Sequence, residues 1–431
     1  MTRYIGQQSQ EAVIQDFSDY VSPGKVAVYE ALGFAAVPGR REGVRLWDLE
    51  GHSYINCHAS AGGFNLGHRP QRVIEAVRQA MDELDIGDHA LMSEQRAALA
   101  KRLAELTPGD IRYSFFTPSG GEAVDLAIKL ARGYTGRPGV ISAEKGYHGH
   151  TGFALSAGDP HFNRYFQPLV PGFSKVPFGD AEALERAVNE ETAAVILETI
   201  PATGGVLIPS DDYLPAVREI CDRRGAVLIL DEVQVGLGRT GRMWAADEWN
   251  VAPDILVLGK AMSGGVYPIS VACYRPHLDA FFQKHPFVHA SAFGGAELGC
   301  VAAMAMLDQI TELGFLPHVQ EMGDRLKSGL EELRVDYPDL VVDVRGRGLM
   351  IGLELADERL GPMMSVALAH NGVLALFADL RPSTVQIKPP LIIQSNEVDE
   401  VLEAADRALT QLRRQVTSSG EELPTPVQSL I

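Results

Sequence analysis

The chain predicts an α/β fold: a large mixed, mostly parallel sheet joined to a smaller α+β layer. Two observations carry this. From about residue 112 to 275, short hydrophobic runs alternate with helical segments: YSFF (113–116), AAVILETI (193–200), AVLIL (226–230) and DILVL (254–258). Runs that are continuously apolar mark strands buried on both faces, as in a parallel sheet covered by helices. Second, only a Gly-rich loop separates Lys260 from the run PISVACY (268–274). A parallel crossover needs about a dozen residues, so this last strand is predicted to run antiparallel and the sheet to be mixed.

The remaining elements follow in chain order. GVRLWDLEGHSYIN (43–56) reads as two short strands joined at Glu50-Gly51. The segments 70–84 and 93–107 carry helical spacing of apolar residues. In the C-terminal third, helical patterns at 317–335 and 396–413 surround short strands near 341–355, 373–377 and 385–393. This divides the chain into an N-terminal segment (1–65), a large α/β domain (66–312), a C-terminal α+β part (313–415) and a polar, frayed tail (416–431). The first and third would together build the smaller domain.

With 431 residues the chain is too long for one compact core. The apolar runs are too short to span a bilayer, and the start, MTRYIGQQSQ, lacks the apolar core of a secretory signal. Four scattered cysteines without metal or redox spacing read as reduced thiols in a cytoplasmic protein. A net charge of −18 argues against nucleic acid or an anionic membrane as partner.

Ligands of open α/β sheets sit beyond the carboxyl ends of the strands. Three strands deliver functional groups there: Glu198, Asp231 and Lys260. An acid and an amine, each presented by an apolar strand, suit pyridoxal 5'-phosphate. Its aldehyde takes a lysine as a Schiff base, and its ring nitrogen stays protonated beside a carboxylate. Taken singly, Asp231 would be an ordinary loop acid and Lys260 an ordinary surface amine. Gly259 and Gly264-Gly265 argue otherwise, because they leave backbone room that a surface lysine does not need. Val233 is placed to pack on the ring, and Gln234 to donate to its phenolic oxygen. In TPSGGEAVDLAIKLARGYTG (117–136), Ser119 and Glu122 stand at capping-box spacing. Gly120 and Gly121 thus fall in the first helical turn, where free N–H groups attract a phosphate. In GYHGHT, Tyr147 or His148 is placed to stack on a flat ring; His148 and His150 alone make a poor metal site, and no metal is expected. In HASAFGG, the Ser291 hydroxyl is within reach of a phosphate.

With these segments on the page, the chain resembles the class III (ω-type) aminotransferases, a branch of the fold-type I pyridoxal-phosphate enzymes. The resemblance runs from about 25 to 412. It rests on LWDLEGHSYIN, NLGHRP, SGGEAVDLAIKLAR, GYHGHT, LDEVQVGLGRTG, PDILVLGKAMSGG, HASAFGG and RGRGLMIGLEL. It implies a homodimer with active sites at the subunit interface. It also implies Lys260 as the cofactor lysine, Asp231 as the pyridine partner, Val233 and Tyr147 as the ring sandwich, Gln234 at the phenolic oxygen, and Gly120 and Gly121 at the phosphate. Glu198 matches an acid that positions substrate-binding groups, and Tyr20 and Phe64 are aromatic candidates on the substrate side. Two departures stand out. Ala292 occupies the place of a phosphate-binding threonine, so either Ser291 substitutes or a contact of about 1–3 kcal/mol is lost. Gln386 occupies the place of the arginine that holds an α-carboxylate, and it lacks that arginine's fork. Arg381 resembles the mobile arginine of amine:pyruvate transaminases, with Lys388 a weaker candidate; the three could equally all face solvent.

The expectation is a ping-pong aminotransferase. It would move an amino group between a primary amine, ω-amino compound or amino acid and a keto acid or aldehyde. A racemase, epimerase or aminomutase on the same fold is the alternative. A non-catalytic pyridoxal-phosphate-fold protein and a nucleotide-binding dehydrogenase are more remote rivals.

Overall fold

A computed structural model describes residues 8–419. Its centre is a seven-stranded sheet in the spatial order Tyr113–Thr117, Ser270–Tyr274, Ile255–Leu258, Val227–Asp231, Thr192–Glu198, Gly139–Ala143, Phe173–Val176. The pairings from Ile255–Leu258 outward to Phe173–Val176 are all parallel. Ser270–Tyr274 is antiparallel to both its neighbours, as the short Gly-rich connection requires. Every residue of Thr192–Glu198 and Val227–Asp231 is buried. One face packs on Val124, Ala127, Ile128 and Ala131 of helix Gly120–Thr135; the other packs on Leu214, Val217, Met306 and Leu307. Gly139–Ala143 and Phe173–Val176 are two strands that the hydrophobic runs did not single out.

Two four-stranded sheets complete the molecule. One joins Pro38–Glu42, Arg45–Asp48, Ser53–Asn56 and Val373–Leu374. The last of these pairs parallel with Ser53–Asn56, Val373 opposite Ile55. The other runs Val341–Arg347, Met350–Leu355, Arg381–Ile387, Leu376–Ala378, antiparallel throughout. Val44, Ile55 and Cys57 share one buried cluster with Leu326, Leu353, Val385 and Leu409, so residues from both ends of the chain pack together.

Helices Gln71–Ala80, Glu94–Leu106 and Phe315–Asp336 lie where apolar spacing puts them. Gln10–Tyr20 and Pro23–Ala31 were not anticipated: neither buries a single residue, so neither carries a core-facing stripe. The strand expected at 385–393 instead spans Arg381–Ile387 and stops before Pro389-Pro390, which cannot donate to a ladder. The final helix runs Ser395–Ser419, so 416–419 of the expected tail are helical and 420–431 lie outside the described residues. All four cysteines are free and buried. Among the described residues no single helix is long and apolar enough to cross a membrane.

Candidate active site

Parallel register brings the three strand-end groups together. Glu198 lies opposite Asp231, and Asp231 opposite Val257, three residues before Lys260. Adjacent strands sit about 4.8 Å apart, so both acids and the amine meet at one sheet edge. They line a cavity of about 160 Å³ with Gly120, Gly121, Tyr147, His148, Gly149, Val233 and Gln234. Lys260 holds φ +44°, an uncommon conformation for a side-chain-bearing residue. Gly259 before it is required by space: a Cβ there would come within 2.6 Å of Ser270 Oγ and 3.3 Å of Val233 Cγ1.

Asp231 is fixed twice over. Its Oδ1 accepts from the Val233 N–H at 3.0 Å, and its Oδ2 meets His148 Nδ1 at 2.8 Å. A carboxylate only accepts, so Nδ1 is the donor. This gives His148 a different place from the one its sequence suggested, as the partner of Asp231 rather than a stacking ring. Tyr147 packs edge-on against His150 and Phe162, with centroids 5.4 and 5.2 Å away. Its backbone N–H donates to Glu198 Oε1 at 2.9 Å. Burial pushes the Glu198 carboxyl up to about 7, and pushes Lys260 below the ordinary lysine value against the opposing pull of Asp231 and Glu198. An acid that holds a proton near neutrality thus stands beside an amine that gives one up easily.

Backbone groups at a helix start also line the cavity. Ser119 caps helix Gly120–Thr135 by accepting from the Glu122 N–H at 3.4 Å. The reciprocal half of the capping box is absent, because the Glu122 carboxylate accepts from Ser291 Oγ at 3.4 Å. The N–H groups of Gly120 and Gly121 have no intrahelical acceptor. A Cβ on Gly120 would meet Val233 Cγ1 at 3.0 Å, and one on Gly121 would meet Thr151 Oγ1 at 3.1 Å. Thr151 Oγ1 and His148 Nε2 are buried without a partner among the described residues. A flat anionic ring with an acidic ring nitrogen and an aldehyde fits this set of helix-start amides, carboxylate and amine around one cavity.

Other sequence candidates lie elsewhere in the single chain. Ala292 is exposed and Ser291 is engaged with Glu122. Tyr20 is 84% exposed at the end of its helix. Phe64 packs on His68 at 4.5 Å, and its ring fills the space beside Gly265. Arg381 Nε donates to Glu354 Oε1 at 2.9 Å. Gln386 and Lys388 are buried rather than solvent-facing, with Lys388 Nζ donating to Gln386 Oε1 at 2.5 Å. Sequence reasoning passed over Glu232, which accepts from the Ala245 and Ala246 N–H groups at 2.8 and 2.7 Å and from Thr199 Oγ1 at 3.0 Å. An acid enclosed in the motif LDEVQV was the available signal.

Known proteins resemble this chain in sequence and fold. A family model, aminotransferase class-III, matches residues 29–409. An uncharacterized aminotransferase from Archaeoglobus fulgidus is 50% identical over 400 residues, covering 93% of this chain and 94% of that protein. Among solved structures, the ornithine aminotransferase of Toxoplasma gondii, described with partial occupancy of PLP at its active site, superposes with a TM-score of 0.88. It is 27% identical, covering 96% of this chain and 97% of its own. An (S)-enantioselective ω-transaminase from Thermomicrobium roseum gives a TM-score of 0.87 at 28% identity, covering 94% and 100%. The chain belongs to the class-III aminotransferases, and its activity is transamination dependent on pyridoxal 5'-phosphate.

Proposed function

We propose that the enzyme transfers an amino group from a primary or ω-amine to a keto acid or aldehyde, with Lys260 as the working amine. The observation that carries this reading is the meeting of Lys260 and Asp231 in one cavity that Gly120 and Gly121 also line. When bound, the cofactor supplies the electron sink that makes a substrate C–H bond acidic. Asp231, held by His148 and the Val233 amide, provides a fixed negative charge for the ring nitrogen. Val233 and Tyr147 would flank the ring, Gln234 would face its phenolic oxygen, and Ser119 sets the helix start that would receive the phosphate. Lys260 Nζ, desolvated and therefore readily deprotonated, takes and returns the substrate proton. Glu198 orders the Tyr147 loop through its backbone hydrogen bond.

The preference for amines over α-amino acids rests on Gln386, which offers a carboxylate no guanidinium fork. A homodimer is the expected assembly. Supporting it, Leu91 and Met92 on one loop and Phe287, Val288 and Phe293 on another are exposed apolar side chains. Arg96 ties the two loops together by donating to the Leu91 carbonyl at 2.9 Å and the Gly295 carbonyl at 3.1 Å.

The test is direct. Protein purified with pyridoxal phosphate should show the cofactor's visible absorbance, and a panel of amines should bleach it in order of donor preference. Lys260→Ala should lose transamination entirely; turnover at the wild-type rate would refute the assignment.

A further inference from the structure

Glu232 follows Asp231 in the chain and does not line the cavity. Chain leaving a strand presents successive side chains to opposite sides, so with Asp231 turned to the cavity Glu232 is turned into the protein. It is 1% exposed, and no cation forms an ion pair with it among the described residues. A buried carboxylate without a cation is costly. What offsets that cost is three donors from two distant segments. Glu232 Oε1 accepts from Thr199 Oγ1 at 3.0 Å and from the Ala246 N–H at 2.7 Å, and Oε2 accepts from the Ala245 N–H at 2.8 Å. The backbone adds to this hold. Its N–H donates to the Val257 carbonyl at 2.9 Å, and its carbonyl accepts from the Gly236 N–H at 3.0 Å.

The turn that follows is wrapped around this side chain. A Cβ on Gly236 would come within 3.2 Å of Glu232 Oε2. Between the two residues lie Val233 and Gln234, which do line the cavity.

Thr199 is the residue after Glu198, and Glu198 lies opposite Asp231 in the sheet. The Thr199–Glu232 hydrogen bond therefore crosses from one strand end to the other, one residue beyond each acid. Like charges placed directly opposite on neighbouring strands are destabilising. Burial and the facing Asp231 both raise the Glu198 carboxyl, against the pull of His148. Such strand ends lower their energy by splaying apart unless something beyond the acids joins them. We propose that Glu232 is a positioning residue for transamination: it locks the Glu198 and Asp231 strand ends in register, and so sets Asp231 against the place of the cofactor's ring nitrogen. This rests on the assignment of Asp231 to the ring nitrogen in the function proposed above. Burial pushes the Glu232 carboxyl up to about 7, and the Ala245, Ala246 and Thr199 donors resist that rise while Asp247 adds to it. Hydrogen bonds rather than an ion pair thus hold the clamp closed.

The experiment follows the visible band of the holoenzyme, saturated with pyridoxal phosphate, against pH. That band titrates with the proton on the nitrogen joining Lys260 to the cofactor. A positive ring nitrogen held by Asp231 disfavours a second positive charge there and lowers the midpoint. Thr199→Val keeps the side chain's shape and deletes the donor; Thr199→Ser keeps the donor and deletes a methyl. The midpoint should rise by about one unit in Thr199→Val and in Glu232→Gln, the size of one hydrogen bond. It should stay at the wild-type value in Thr199→Ser. Equal midpoints in Thr199→Val and Thr199→Ser would overturn the proposal, because a residue that only supports the fold changes the melting temperature and leaves the band where it was. So would a Glu232→Gln protein that melts lower with an unmoved midpoint. Asp231→Asn tests the underlying reading and should raise the midpoint too. An unmoved midpoint there would remove Asp231 from the ring nitrogen and end both readings; a rise there with none in Thr199→Val would end the proposal for Glu232 alone.

Discussion

His148 and Asp231 are both almost fully buried, and the hydrogen bond between them replaces the solvation each has lost. Removing the histidine leaves the carboxylate with the Val233 amide alone. His148→Phe should therefore cost about 1–3 kcal/mol of stabilisation at the ring-nitrogen end, seen as a roughly ten- to hundred-fold fall in kcat/KM. Cofactor affinity should drop with it, measured by equilibrium dialysis. Asp231 and Lys260 could be found from sequence because each terminates an apolar strand. The role of His148 could not. A histidine between glycines serves equally as a stacking ring, a metal ligand or a hydrogen-bond donor, and only its position beneath Asp231 selects among them. Lys388 illustrates the same limit. Extended chain entering Pro389-Pro390 looks solvent-facing, and its burial is a consequence of the layers that close over it.

At the scale of elements, the start of helix Gly120–Thr135 serves both fold and site. Glycine is a poor helix residue, yet at position 120 a Cβ would stand 3.0 Å from Val233 Cγ1. Gly120→Ala should favour the helix while pressing on Val233. The expected outcome is cofactor binding weakened about tenfold, with apoprotein melting temperature unchanged or slightly raised, checked by titration and calorimetry. The strands of the main sheet were legible because burial on both faces makes them continuously apolar. Their order was not, since non-adjacent segments such as Tyr113–Thr117 and Ser270–Tyr274 pair only through three-dimensional topology.

Across the whole molecule, Glu354 joins the small antiparallel sheet to the segment after Glu198. Its oxygens accept from Arg345 at 2.7 Å, Arg381 at 2.9 Å and Ser383 at 2.7 Å, and from Thr384 at 2.5 Å. Arg345 Nε in turn donates to the carbonyls of Gly205 at 2.9 Å and Val206 at 3.1 Å. Burial alone would raise the Glu354 carboxyl; the donors from Thr384, Ser383, Arg345 and Arg381 outweigh it and hold it at about 2 instead of 4.5. A lowered folded-state value gives stability that is present above the unfolded value and lost as pH falls through the folded one. Urea denaturation should therefore show stability falling between about pH 4.5 and 2. Glu354→Gln should remove about 3 kcal/mol at neutral pH and flatten that acid limb. The sequence by itself determined the α/β class, the antiparallel last strand and the acid–amine pair, because strand burial, loop length and residue type are local properties written along the chain. The tertiary structure decided that His148 supports Asp231, that Arg381 belongs to Glu354, and that Lys388 is enclosed with Gln386. Each of these depends on which distant segments are packed together, and a buried charge takes its partner from whatever the packing brings within reach.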